Sequence, residues 1–153
     1  MTVKPLVLNR RDSYFKFTLP KDYEKVLERI FSCRKEDSEE RWLFSKTFEK
    51  SLLRIWADLR QVKRDILLFL QDLPAKAERY SRIRTRLVSI NGRIDSLKSV
   101  EGKFLSLYNP IFPESILKRY YNAEIETLQE EYVFCRMRMR QSAPLDWRGD
   151  AGI

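Results

Sequence analysis

Residues 52–69, LLRIWADLRQVKRDILLF, decide the fold. Leu52, Ile55, Leu59, Val62, Ile66 and Phe69 are separated by 3, 4, 3, 4 and 3 positions. At 3.6 residues per turn this spacing puts all six on one stripe of a helix, with most of the charged residues around it. Phe44, Phe48 and Trp56 widen the stripe into a face suited to a globular bundle rather than a narrow two-stranded seam. Upstream, Glu36, Asp37, Glu39 and Glu40 favour a helix start, because carboxylates complement the positive end of the helix dipole. The pattern predicts a second helix running from about residue 36 to 70 or 72.

Leu73-Pro74 ends that helix, since proline lacks the N–H that would continue the ladder. Beyond it, Tyr80, Ile83, Leu87, Ile90, Ile94 and Leu97 repeat the 3, 4, 3, 4, 3 spacing, and Val100, Phe104 and Leu107 carry it to Tyr108. Asn91-Gly92 is a turn dipeptide within this run. The register holds across it, so one helix with a soft point at 91–92 is expected. Asn109–Pro113 is a tight connection. A fourth helix then starts at Glu114 or Ser115 and ends near Arg140, with Ile116, Tyr120, Ala123, Leu128, Tyr132 and Cys135 inward.

Toward the N-terminus, Tyr23, Val26, Leu27 and Ile30 mark a first helix that starts at 18–20, with Pro20 in its first turn, and stops around Cys33-Arg34. Residues 1–17 read as an extended arm. A small hairpin is the alternative, with Asn9-Arg10-Arg11-Asp12 as its turn. Residues 141–153 read as a flexible tail. The expected fold is all-α: an elongated antiparallel bundle, or coiled coil, of about four helices spanning 18–140. Seams of this kind are also completed by a second copy of the chain, so an oligomer is expected.

A chain of 153 residues with 43% apolar and 34% charged residues has the size and balance of one globular domain. It contains no histidine, which removes the commonest general acid/base and the commonest metal ligand. Glu126 and Glu130 form an ExxxE pair, yet a di-metal bundle site needs a Glu-x-x-His partner. Nucleotide-binding and hydrolase motifs are absent, and no cofactor, metal or small-molecule substrate is expected. The reading is therefore non-enzymatic. Cys33 and Cys135 are too far apart for a CxxC motif and read as small core residues. Arg148-Gly149-Asp150 spells an adhesion tripeptide without the secreted context that gives it meaning. No run approaches the roughly 18 apolar residues of a membrane span. The N-terminus also lacks a signal-peptide pattern, and the expected location is cytoplasmic or inside a macromolecular assembly.

Net charge is +8, with a pI of about 9.6. Folding the charges onto antiparallel helices gathers eleven cations at one end: Arg60, Lys63, Arg64, Lys76, Arg79, Arg82, Arg84, Arg86, Arg136, Arg138 and Arg140. Only Asp65, Asp72 and Glu78 are expected to oppose them. Arg79, Arg82 and Arg84 fall in early helical turns, where the dipole disfavours cations. Arg82 and Arg86 form a like-charge i,i+4 pair. An external anion would relieve both. Nine of the eleven are arginines, whose forked donors suit phosphates. The leading expectation is binding of nucleic-acid backbone without sequence specificity, as a subunit of a larger particle. The alternative is a structural adaptor of a multiprotein assembly, such as a virion or secretion apparatus, docking an acidic protein through the same end. Tyr80, Tyr120, Tyr121 and Trp42 fit core and groove filling better than base stacking.

Overall fold

The computed structural model describes residues 21–71 and 76–142. The expected N-terminal arm, the start of the first helix at 18–20, the Pro74 break and the tail with Arg148-Gly149-Asp150 lie outside the described residues. Those described form five helices: α1 Lys21–Phe31, α2 Glu39–Leu70, α3 Lys76–Ser99, α4 Glu101–Tyr108 and α5 Glu114–Ser142. No strand occurs among them, and no helix is long and apolar enough to cross a membrane.

Helix α2 begins at Glu39 because Ser38 caps it: the Ser38 hydroxyl accepts the Arg41 N–H at 3.2 Å. Glu36 and Asp37, expected inside the helix, belong to the preceding turn instead, where Asp37 meets Arg34 at 3.4 Å. The stripe behaves as its spacing requires. Leu52, Ile55, Trp56, Leu59, Val62, Ile66 and Phe69 are all buried, as are Tyr80, Ile83, Leu87, Ile90, Ile94 and Leu97 facing them.

Side-chain contacts set the helix directions. Phe69 lies against Tyr80, Asp58 is 3.9 Å from Arg93, and Ser45 shares a 2.6 Å hydrogen bond with Tyr108. As α2 is followed backward, its partners advance, so α3 and α4 run antiparallel to it. Helix α5 runs parallel to α2, since Tyr121 lies against Phe48 and Glu131 against Lys63. The short α1 rests on both α2 and α5, burying Val26, Leu27, Ile30 and Phe31.

The third helix continues across Asn91-Gly92 as expected, but it does not run on to Tyr108: a break comes at Val100. A continuous helix would give the Leu97 carbonyl to the Glu101 N–H. Here that carbonyl accepts the Tyr121 phenol from α5 and, at 3.3 Å, the Val100 N–H in a tighter turn. The Ser96 and Ser99 hydroxyls donate to the Gly92 and Ser96 carbonyls at 3.1 and 2.7 Å, a competition that bends helices. The bend re-aims α4. Phe104 and Tyr108 enter the core, whereas Val100 and Leu107 are only half-buried. Phe104 becomes the hub of an aromatic cluster, with Tyr121, Tyr108, Phe44 and Tyr120 rings at 5.0, 5.4, 5.9 and 5.9 Å.

The inward face of α5 also differs from expectation. Tyr120, Leu128, Tyr132 and Cys135 are buried as expected, but Ile116 and Ala123 are half-buried, and Leu117, Tyr121, Ile125 and Met139 take core positions. Because α5 serves α1 as well as α2 and α3, its buried face is wider than one stripe. It even buries Glu124, whose carboxylate accepts the Tyr120 hydroxyl at 2.8 Å. Both thiols are free, and Cys33 is half-buried rather than a core residue.

Leu59→Ala or Leu87→Ala is expected to cost about 2–5 kcal/mol in chemical denaturation, as both side chains are fully enclosed. A second test uses pH. Burial pushes the Tyr108 phenol and the Cys135 thiol up to about 12, and raises Tyr121 as well. The unfolded chain ionises these groups from about pH 9 upward, while the folded chain keeps them protonated. Stability present below about pH 9 should therefore decline progressively toward about pH 12. Denaturation curves that coincide at about pH 8 and about pH 10.5 would contradict this.

Candidate nucleic-acid interface

Packing α2 against α3 hides their apolar stripes and leaves polar flanks facing each other across a groove. Arg54 and Asp58 line it from α2; Arg82, Arg86 and Arg93 line it from α3, in a recess of about 440 Å³. An adjoining recess shares Arg54 and Arg93 and extends along α2 to Lys46 and Lys50. Six cations thus follow one path, with Glu49 and Asp58 as its only carboxylates among the described residues. Asp58 is engaged by Arg93, whose Nε also donates to the Ser89 hydroxyl at 3.3 Å. Arg54, Arg82 and Arg86 form no ion pair with any described residue. The remaining lining is rich in hydroxyls (Thr47, Ser51, Ser81, Thr85 and Ser89) and contains no aromatic ring.

The eleven expected cations do not form one patch. Arg82 and Arg86 line the α2–α3 groove. Arg79 lies two turns before Arg86 on the same flank, half-buried, and its Nε has no hydrogen-bond partner among the described residues. Arg84 is exposed; two residues from both Arg82 and Arg86, it leaves α3 on the opposite side. Lys63 and Arg138 line a different groove, between α2 and α5. Arg136, two residues from Arg138, points away from that groove, half-buried, with a buried Nε lacking a hydrogen-bond partner among the described residues. Arg60, Arg64 and Arg140 are exposed, and the Lys76 side chain lies outside the described residues.

The local acids also differ from expectation. Glu131, not among the acids expected to oppose these cations, pairs with Lys63. Asp65 is buried and accepts the Gln61 side-chain N–H at 3.1 Å. Glu126 and Glu130 are exposed. Tyr80, Tyr120 and Tyr121 are core residues, and Trp42 is half-buried beneath Lys35, 5.5 Å from its ring centre.

Lys46, Lys50, Arg54 and Arg93 were absent from the expected set. A signal for three of them was available: Lys46, Lys50 and Arg54 form an i,i+4,i+8 row of like charge, unfavourable for an isolated helix in the same way as Arg82 and Arg86. Unmatched groove cations should weigh on the free protein. Arg86→Glu should therefore stabilise it by a few tenths of a kcal/mol at low ionic strength, by turning like-charge repulsion with Arg82 into attraction. Arg93→Glu should not, because it places a second carboxylate beside Asp58. Equal destabilisation of both variants in denaturation experiments would show that the groove cations are already balanced.

Comparison with protein-family models, curated proteins and solved structures finds no match for this chain.

Proposed function

We propose that this protein binds the phosphate backbone of nucleic acid, without reading sequence, as a non-enzymatic subunit of a larger particle. The observation that carries the reading is the α2–α3 groove, where Arg54, Arg82 and Arg86 stand unmatched beside a path of further cations and hydroxyls. Phosphate oxygens are the acceptors these groups suit. Arginine offers paired donors, and serine and threonine hydroxyls commonly complete phosphate contacts.

Antiparallel pairing brings Arg82 level with the last turn of α2. The path from Lys46 to Arg82 then covers roughly 35 Å along the bundle, at about 1.5 Å per residue. That is close to one turn of a B-form duplex, about 34–36 Å. Without an aromatic ring, the groove has no platform for stacking unpaired bases. A duplex backbone is therefore the favoured ligand, held by charge and positioned by hydroxyls. The adaptor reading draws on another surface, the α2–α5 groove, where apolar side chains outnumber cations.

The test is a salt titration of binding to a duplex of arbitrary sequence. Counterion release makes log K fall linearly with log salt, with a slope of about 0.9 per neutralised phosphate. The Arg54→Ala/Arg82→Ala/Arg86→Ala triple should flatten that slope by about 2–3 units. The Lys25→Ala/Arg119→Ala pair, on α1 and α5, should leave it nearly unchanged. Two duplexes of unrelated sequence should bind equally. Absence of binding to any duplex or single strand at about 50 mM salt would end the nucleic-acid reading.

A further inference from the structure

Helices α2 and α5 run side by side in the same direction, and among the described residues the groove between them is filled along only part of its length. The occupant of the filled part is α1, an 11-residue amphipathic helix that buries Val26, Leu27, Ile30 and Phe31. It connects through residues 32–38 to the start of α2, so it covers the first part of the groove, roughly 16 Å of the roughly 48 Å that α2 spans. Farther along, no described residue covers the groove. There Leu67, Leu70, Phe134 and Met137 are 56, 44, 50 and 52% exposed. Leu67 and Phe134 line one recess of about 170 Å³ whose floor is Ile66 and Cys135. Leu70 and Met137 lie one turn farther along the same two helices. Together with Val133, they make five of the seven large exposed apolar side chains among the described residues. Apolar surface concentrated in this way marks an interaction site rather than ordinary scatter.

The rim decides the chemistry of the occupant. Lys63 is matched by Glu131, and Arg138 lies over the Phe134 ring at 5.9 Å. Arg64, one turn before Leu67, adds exposed positive charge, against the exposed carboxylate of Glu130, one turn before Phe134. From this we infer that the open half of the α2–α5 groove docks an acidic amphipathic helix of a partner protein, laid end to end with α1. Its apolar face, at i, i+3, i+4 and i+7, covers Leu67 and Phe134, while its flanking carboxylates face the arginines. The chain's own residues 1–20 carry Lys4, Arg10, Arg11 and Lys16 against Asp12 alone, and their positive charge opposes this rim. The surface is separate from the α2–α3 groove, so the inference stands or falls independently of nucleic-acid binding.

The test pans the full-length protein against a displayed library of random helical peptides, with counter-selection on the Phe134→Asp variant. Both proteins are first matched by circular dichroism, since Phe134 is half exposed. Enriched peptides should be net acidic with apolar residues at helical spacing. The tightest should lose about tenfold or more in affinity with Phe134→Ala or Leu67→Ala. Arg138→Glu should weaken it further at low salt, and Arg82→Ala should leave it unchanged. The inference is overturned if no enrichment depends on Phe134, or if the enriched peptides are neutral or basic. It is equally overturned if wild type sediments as a dimer that Phe134→Asp dissociates. Peptides that bind only after residues 1–20 or 143–153 are deleted would also overturn it, by showing the groove already filled by the chain itself.

Discussion

Burial of the α2 stripe from Phe44 to Phe69 is the constraint on which the other elements depend. Every other helix packs against α2. A 32-residue helix with one apolar face can satisfy that face only by collecting neighbours along its length. Helix α3 takes one side, α5 another, and α1 and α4 close the end where the aromatic residues gather. Most of the charged residues of α2 are then forced onto the flanks between neighbours. The chemistry of each groove follows from which flank meets which.

The two grooves beside α2 consequently differ in character. Toward α3, the facing positions are Arg54 and Asp58 against Arg82, Arg86 and Arg93, and the surface is cationic and rich in hydroxyls. Toward α5, the positions are Lys63, Ile66 and Leu67 against Phe134, Cys135 and Arg138, and the surface is apolar with a basic rim. One bundle thus presents a cationic path suited to a polyanion and an apolar surface suited to docking, on opposite flanks of the same helix.

Much of this was legible in the residues themselves. The heptad positions of α2 and α3 are buried without exception from Leu52 to Phe69 and from Tyr80 to Leu97, because a period of 3.5 over more than two repeats leaves little choice of face. The bend at Val100 was not legible. It depends on a Tyr121 phenol reaching a carbonyl 24 residues earlier, a contact that no local pattern announces. Helix α5 was harder for a related reason: four neighbours share its surface, so polar residues such as Glu124 and Thr127 are buried beside apolar ones. For the expected cations, rise per residue supplies a position along the bundle axis. Their division among the grooves around that axis was not legible, because one helix's pattern does not reveal which neighbour each flank will face. Lys63 shows the consequence: counted among the anion-binding residues, it is matched by Glu131 across the α2–α5 groove.

The most direct test of the central claim, that the α2–α3 seam creates the backbone-binding path, is an NMR titration of the full-length protein with a short duplex of arbitrary sequence. The backbone amides of residues 46–54 and 82–93 and the Nε–H signals of Arg54, Arg82 and Arg86 should shift together and saturate together. Signals of Leu67, Phe134 and Met137 should stay in place. Shifts confined to the α2–α5 groove, or spread evenly over all exposed arginines including Arg84, Arg119 and Arg140, would contradict the account.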